Sequence, residues 1–156
     1  MLKAKLDSVR KNKKGFFLVE LIIVIAIMVA LIAVMAPAFV KYVQKSRDAA
    51  IATAAEDYEK AVQTYIGDPD TDMSKITASQ TILVYVDSTT NKLKVVHSNT
   101  NIESALNTLA GADTTKKMGS TTAAYKIIIT KDASNNDVSV KMQKGTQNAG
   151  TFTADA

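Results

Sequence analysis

An uncharged apolar segment near the amino terminus limits what this chain can fold into more than any other feature. Residues 16–40 comprise 25 positions with a single charge, Glu20, and residues 21–40 are 20 positions in succession without any charge. An α-helix rises about 1.5 Å per residue, so about 20 apolar residues cross a hydrocarbon layer roughly 30 Å thick. We therefore expect this segment to be a membrane-spanning helix.

The charges of the chain are distributed unevenly around that segment. Residues 1–15 carry six Lys or Arg side chains against the single Asp7, a net charge of +5, whereas residues 16–156 carry 13 Lys or Arg against 14 Asp or Glu, a net charge of −1. The basic character thus belongs to a short leader and gives no argument for nucleic-acid binding by the folded part. Because basic flanks stay on the cytoplasmic side, residues 41–156 are expected outside.

The helical pattern continues over residues 41–66. Apolar side chains recur there at spacings near three, four and seven, which places them on one face of a helix. The members of this stripe are Val40, Val43, Ala50, Ile51, Ala54, Tyr58, Val62 and Tyr65. Gly67, with Pro69 two residues later, predicts the end of a helix that would be roughly 75 Å long. Pro37 lies inside it and predicts a kink or a locally melted turn.

The remaining residues, 67–156, predict a small antiparallel β-sheet head. The predicted elements are strands at residues 81–87, 92–98, 123–130 and 138–142, turns at 88–91 and 133–136, and a short helix at 101–109. From Gly145 onward we expect a loop or a short edge strand. A head of this size buries little core alone, so the amphipathic helix should cover one face of the sheet. The predicted fold class is α+β.

The junction around Gly15 carries the most specific motif. Lys13, Lys14 and Gly15 are followed by an apolar stretch that has Glu20 as its fifth residue. Over about residues 11–40 this pattern resembles the type IV pilin (prepilin) family, in which a basic leader ends in Gly and a Glu opens a long apolar helix. The chain has Phe17 where the family usually has Thr, and Pro37 where many members have a proline.

The resemblance implies a processing reaction carried out by another protein. A membrane-embedded prepilin peptidase would cut between Gly15 and Phe16 and methylate the new amine of Phe16. The chain is then the substrate and not an enzyme, and it needs no cofactor or metal. Its parts would be a removed leader (1–15), a transmembrane and filament-core helix (16–40), an amphipathic continuation (41–66) and the head (67–156).

The cut would provide a charge partner for Glu20. A carboxylate in an apolar membrane segment costs at least about 2.5–3.5 kcal/mol on insertion scales, and no basic residue lies between it and Lys41. Cleavage would create a cationic amine on Phe16, four residues away. Glu20 could pair with the amine of its own helix or with that of the next subunit. The resemblance favours the second option, in which Glu20 sets the axial register of assembly.

The function implied is that of a structural subunit. The family forms helical filaments that serve adhesion, surface motility, aggregation or DNA uptake. The precursor would be a single-pass protein of the cytoplasmic membrane, and the mature form would belong to a cell-surface pilus. Partners would be further copies, the peptidase, the assembly platform and minor pilins. Many members of the family from two-membrane bacteria have a disulfide, whereas this chain has no cysteine. By resemblance this favours a Gram-positive source.

Four other readings of the chain stay open. It could be a pseudopilin of a type II secretion or competence system, whose filament is a short piston. It could be a membrane-anchored extracytoplasmic binding module, or a plain single-span anchor, which would not require Gly15 or Glu20. The apolar segment could also be a signal peptide cut near Ala38, although it is longer than such segments usually are.

Chemistry-bearing side chains elsewhere are few. His97 has no His or Cys partner and is expected to be an exposed or half-buried strand residue. The alternating Asp68, Asp70 and Asp72 could offer oxygens to Ca²⁺, but the segment lacks the rest of an EF-hand loop, and a solvated loop is the better interpretation. Lysine pairs at 92/94 and 116/117 could meet anions or DNA, but such pairs are usually solvated.

Overall fold

The computed structural model describes residues 2–76, 78–115, 117–148 and 150–155, with side chains described from residue 17 onward. Two helices, a 3₁₀ turn and five strands follow one another in the order α1 (Leu2–Gly67), 3₁₀ (Met73–Lys75), β1 (Ser79–Val86), β2 (Leu93–His97), α2 (Glu103–Ala110), β3 (Ala123–Lys131), β4 (Val138–Asn148) and β5 (Thr151–Ala154). The chain divides into two compact units, Met1–Val43 and Gln44–Ala156, which are described separately.

The first unit consists of the amino-terminal part of α1. This helix passes through Pro37 without interruption, so a melted turn is not present there, and the predicted kink stays a prediction. The helix is long enough and apolar enough to cross a membrane from Phe17 onward. Its predicted end is confirmed at Gly67, after which Pro69 cannot continue the hydrogen-bond pattern.

The second unit is built on a five-stranded antiparallel sheet with the strand order β2-β1-β3-β4-β5. Strand β1 alternates between buried and part-exposed side chains along its whole length, as a sheet with one covered face requires. Its register places Leu83 opposite Val96 of β2 and opposite Lys126 of β3. The α+β fold predicted from the sequence is therefore present.

The core lies between one face of this sheet and the two helices. From α1 come Ile51, Ala54, Ala55, Tyr58, Ala61 and Val62, and from α2 comes Leu106. They meet the inward side chains of the central strands, among them Ile82, Val84, Ile127 and Ile129. The predicted role of the second half of α1 as the cover of the sheet is thereby confirmed.

The buried face of α1 differs in detail from the predicted stripe. Ala50 is exposed, whereas Ala55 and Ala61, which were not expected to be buried, lie in the core. An α-helix has 3.6 residues per turn. When the side chains of Ile51, Tyr58 and Val62 face the sheet, the side chain of Ala50 therefore points towards solvent. Small side chains at 55 and 61 allow the helix to approach the sheet closely.

The carboxyl-terminal segment is more ordered than the sequence indicates. Strand β4 continues past Met142 to Asn148, and Thr151–Ala154 forms β5, which pairs with it. Gly145 is buried because the ring of Phe152 lies against it, leaving no room for a side chain. Of the two alternatives for this segment, the short edge strand is the one observed, although β4 is longer than predicted.

The loop before β3 is fixed to the part of α1 that belongs to this unit. Arg47 Nη1 donates a hydrogen bond to the carbonyl oxygen of Ser120 at 3.3 Å, and the Thr121 hydroxyl donates to Asp48 Oδ1 at 2.5 Å. Gly119 adopts a φ of +80°, which favours glycine, and a Cβ there would lie 2.5 Å from Arg47 Nε and would have to displace the guanidinium.

Candidate functional site

The apolar surface of α1 is the most unusual chemical feature of the protein. Its large apolar side chains from Phe17 to Val40 are between 48% exposed, at Val24, and 77% exposed, at Val34. The exposure covers all sides of the helix, because every position from 17 to 40 is exposed. Burying apolar surface is worth about 25 cal/mol per Å², so a helix of this kind needs a covering of lipid or of other protein chains.

Glu20 lies within this apolar surface, and its side chain is exposed. It follows Phe16 by four residues in a continuous helix, so the two positions lie on the same face. No ion pair to Glu20 is formed by the side chains that the structure describes. Covering a carboxylate in such surroundings is costly unless a charge partner or water stays within its reach.

Gly15 and Phe16, the predicted cleavage positions, lie within α1, and the side chain of Phe16 falls outside the described part of the chain. The predicted cut and methylation are therefore untested. Pro37 is exposed on the helix, as are Ala26 and Ala30. The small residues Ala26, Ala30, Ala33 and Ala36 would permit close helix–helix approach.

The head contains a polar contact that links three elements. The Tyr58 hydroxyl of α1 donates a hydrogen bond to Asn107 Oδ1 of α2 at 2.7 Å, and His97 Nε2 of β2 lies 3.3 Å from the same oxygen. Because an amide oxygen only accepts, this contact assigns the His97 proton to Nε2. The Tyr58 and His97 rings also meet edge to face, with centroids 5.9 Å apart.

The environment of His97 disfavours the protonated, cationic form of its ring. Burial lowers the pKa of His97 below its ordinary value of 6.5, although the charge of Glu103 and the hydrogen bond to Asn107 act in the opposite direction. Its Nδ1 atom is buried and has no hydrogen-bond partner among the described residues. As predicted, His97 is a half-buried strand residue. Its contact with Asn107 and Tyr58 helps to hold α1, α2 and β2 together.

The acidic loop after α1 is organised by its own backbone. Asp68 Oδ1 accepts a hydrogen bond from the amide of Asp70 at 3.0 Å, and Asp72 Oδ1 accepts from the amide and the hydroxyl of Ser74 at 3.0 and 2.6 Å. The hydrogen bonds from Ser74 lower the pKa of Asp72 below 3.8. Within the described residues, no group of three or more His, Cys, Asp or Glu side chains is placed to hold a metal ion.

The structure places one lysine of each predicted pair next to the other, while Lys116 lies outside the described residues. Lys92 and Lys117 are joined by an isolated backbone bridge, and Lys94 Nζ lies 3.6 Å from Asp87 Oδ2. An open groove of about 540 Å³ runs between Arg47 and Lys117. Its lining also includes the carboxylates of Asp57 and Asp113, so the groove has no single sign of charge that would select an anion.

Two structural residues of the head have no signal in the sequence. Asn107 accepts a hydrogen bond from Tyr58, 49 positions away in the chain, and the carbonyl of Ser120 accepts one from Arg47, 73 positions away. Both contacts depend on how distant segments meet, and neither residue type nor spacing points to them. The motif at residues 13–20, by contrast, is local and can be recognised from the sequence alone.

Comparisons with protein-family models, with curated proteins and with solved structures find no match to this chain.

Proposed function

We propose that this protein is the precursor of a filament subunit of the type IV pilin kind, cut after Gly15 and assembled through residues 16–40. The observation that carries the proposal is the apolar surface of α1, exposed on all sides and interrupted by the single carboxylate of Glu20. A head with its own core follows on the same helix. The helix–sheet arrangement is consistent with a pilin-like fold.

The carboxylate distinguishes this proposal from that of a plain membrane anchor. A simple anchor gains nothing from Glu20, whose insertion costs about 2.5–3.5 kcal/mol. In a filament the same residue would face the amine of Phe16 on a neighbouring subunit, which offsets that cost and selects one axial register. Ion pairing in an apolar, water-poor core is stronger than at a surface, and an unpaired charge there is strongly disfavoured.

Removal of the leader would release the helix from the membrane. Six cationic side chains on residues 1–15 hold the amino terminus in the cytoplasm as long as they are attached. After the cut, packing between helices replaces packing against lipid, and the small residues Ala26, Ala30, Ala33 and Ala36 allow that packing to be close. The mature subunit carries a net charge of −1.

The proposal predicts a specific effect of Glu20→Ala in cells that also express the prepilin peptidase. Because the register contact is lost, filaments sheared from the cell surface should fall by at least about tenfold, the loss expected when a buried charge pair is broken. The subunit should still be cut and remain in the membrane, since neither step requires Glu20. Quantitative blotting of the sheared and membrane fractions measures both.

The matched control is Glu56→Ala, which removes an exposed carboxylate from the head segment of the same helix. Its filament yield should equal that of the wild type. Normal filaments from Glu20→Ala would show that Glu20 does not set the register. A subunit that is never cut would remove the basis of the whole proposal.

A further inference from the structure

The sheet has a second face, which the described residues leave uncovered by any helix. Outward positions of β1, β2 and β3 carry Leu83, Tyr85, Val96 and Ile128, which are part-exposed or exposed. Phe152 of β5 lies over Gly145 on the same side. We call this surface the outer sheet face. Its apolar side chains are partly accessible, with Val96 43% exposed, so they can add apolar contact to an interface.

The charges on the outer sheet face are all positive. Lys94, Lys126 and Lys141 occupy outward positions on β2, β3 and β4, and the outward positions of the described strands include no acidic residue. Lys126 Nζ lies 5.9 Å from the centre of the Phe152 ring. Lys94 is paired at 3.6 Å with Asp87 from the adjoining turn, which leaves Lys126 and Lys141 as the cations available to a partner.

One end of the same head is acidic. Asp68, Asp70 and Asp72 follow the carboxyl end of α1, whose last turn contains no basic residue to offset the negative end of the helix dipole. The β3–β4 turn adds Asp132 and Asp137 at this end of the sheet. We call these five residues the acidic end.

The acidic end is held together by contacts from Lys131. Its Nζ donates a hydrogen bond to the carbonyl oxygen of Met73 at 2.8 Å, and its backbone amide donates to Ala78 at 3.1 Å. These bonds join the β3–β4 turn to the loop that follows α1. Lys131 and Lys75 both act on Asp72 by their charge, but two lysines against five carboxylates leave this end of the head with a net negative charge.

We propose that the outer sheet face of one subunit receives the acidic end of a second copy of this chain. A symmetric contact between two outer sheet faces would oppose lysines to lysines, whereas a contact between two different surfaces of the head brings opposite charges together. Repetition of such a head-to-tail contact cannot close as a two-fold dimer, and it gives an open helical filament when the rotation between subunits does not close a ring. The inference rests on the proposed function and assigns the head its part in assembly.

Introduced cysteines test the contact directly, because the chain contains none of its own. A full-length variant with both Lys126→Cys and Asp70→Cys, assembled into filaments and mildly oxidised, should give a ladder of disulfide-linked oligomers larger than dimers. Each single variant should give monomers, since its partner position has no thiol. A control pair, Lys126→Cys with Thr89→Cys in the exposed β1–β2 turn, should give no ladder, because Thr89 lies at the opposite end of the sheet.

Charge reversal provides a second readout that a purely structural effect would not reproduce. Reversing Lys126 and Lys141 to Glu, or Asp70 and Asp137 to Lys, should lower the filament yield at low ionic strength, and combining all four changes should restore it. The deficits should shrink as salt rises, since a Debye length of about 10 Å at 0.1 M salt screens exposed charges.

Two results would overturn the inference without touching the proposed function. One is a filament that assembles normally from subunits beginning at Phe16, gives no ladder of disulfide-linked oligomers and tolerates the charge reversals. The other is the same absence of a ladder together with lysine-dependent binding of a single-stranded polynucleotide by the filament, which would assign the outer sheet face to a polyanion. Failure of the wild-type chain to form filaments would instead contradict the proposed function itself.

Discussion

Among single residues, His97 shows how the fold makes an ordinary side chain sensitive to pH. Its ring is half-buried between Tyr58, Asn107 and the carboxylate of Glu103, and burial lowers its pKa. A folded state with a lowered histidine pKa binds fewer protons than the unfolded chain as the solution becomes acidic. Its contribution to stability is therefore full above pH 6.5 and is lost as the pH falls through the folded-state pKa.

This predicts a difference between the wild type and His97→Gln, in which an amide can still donate to Asn107 but does not titrate. The denaturation midpoint of the full-length protein in detergent should fall between about pH 7.5 and pH 5 for the wild type and change less for the variant. Tyrosine fluorescence can report unfolding, since the chain has five Tyr and no Trp. Parallel pH profiles would show that His97 titrates normally.

The sequence predicts the candidate site at the amino terminus better than it predicts the hydrogen-bonded contact in the head. Gly15, Phe16 and Glu20 stand within six positions, and the chemistry that links them is a matter of local spacing along one helix. Tyr58, His97 and Asn107 meet only because α1, β2 and α2 pack together. A half-buried histidine could be predicted, whereas the identity of its partner could not.

At the level of elements, the two glycines that end the helices serve different purposes. Gly111 closes α2 in the left-handed region with a φ of +58° and donates its amide to the carbonyl of Asn107. Gly67 ends α1, and its φ lies outside the left-handed region. A Cβ would meet no atom within 4 Å at either site, so only the backbone conformation separates them.

The two glycines therefore form a matched pair for mutation. Gly111→Ala should destabilise the head by about 1–2 kcal/mol, because a side chain in the left-handed region clashes with its own backbone. Gly67→Ala should be neutral or slightly stabilising, since Ala has the higher helix propensity. Denaturant unfolding of both variants measures the difference. Equal effects would show that the conformation at Gly111 carries no strain for Ala.

The hairpin turns explain why most strands could be predicted. In both β1–β2 and β3–β4, an Asp side chain accepts backbone amides of the turn, and an Asn in the left-handed region ends it, at Asn91 and Asn136. The residue types at residues 87–91 and 132–136 carry that information locally. The extension of β4 beyond Gly145 is polar and gives no alternating apolar signal, and it is held as a strand by β5 on one side and by Ala123 and the Thr122 carbonyl on the other.

For the molecule as a whole, the distribution of charge and apolar surface gives one consistent account. A basic leader precedes an apolar helix that nothing in its own unit covers, and the head that follows has a cationic sheet face and an acidic end. The sheet face and the acidic end have opposite charges, and the apolar helix needs a covering. The proposed self-association of the chain would meet both requirements.

The proposed cut after Gly15 is the event on which this account depends, because it would create an amine to pair with Glu20 and would remove the charge proposed to retain the helix in the membrane. The most direct measurement is intact mass and amino-terminal sequencing of the subunit in filaments sheared from cells that express this chain. The account predicts a single species that begins at Phe16 and carries one added methyl group on its amine. A surface-exposed protein that still begins at Met1, or one that begins after Ala38, would contradict it.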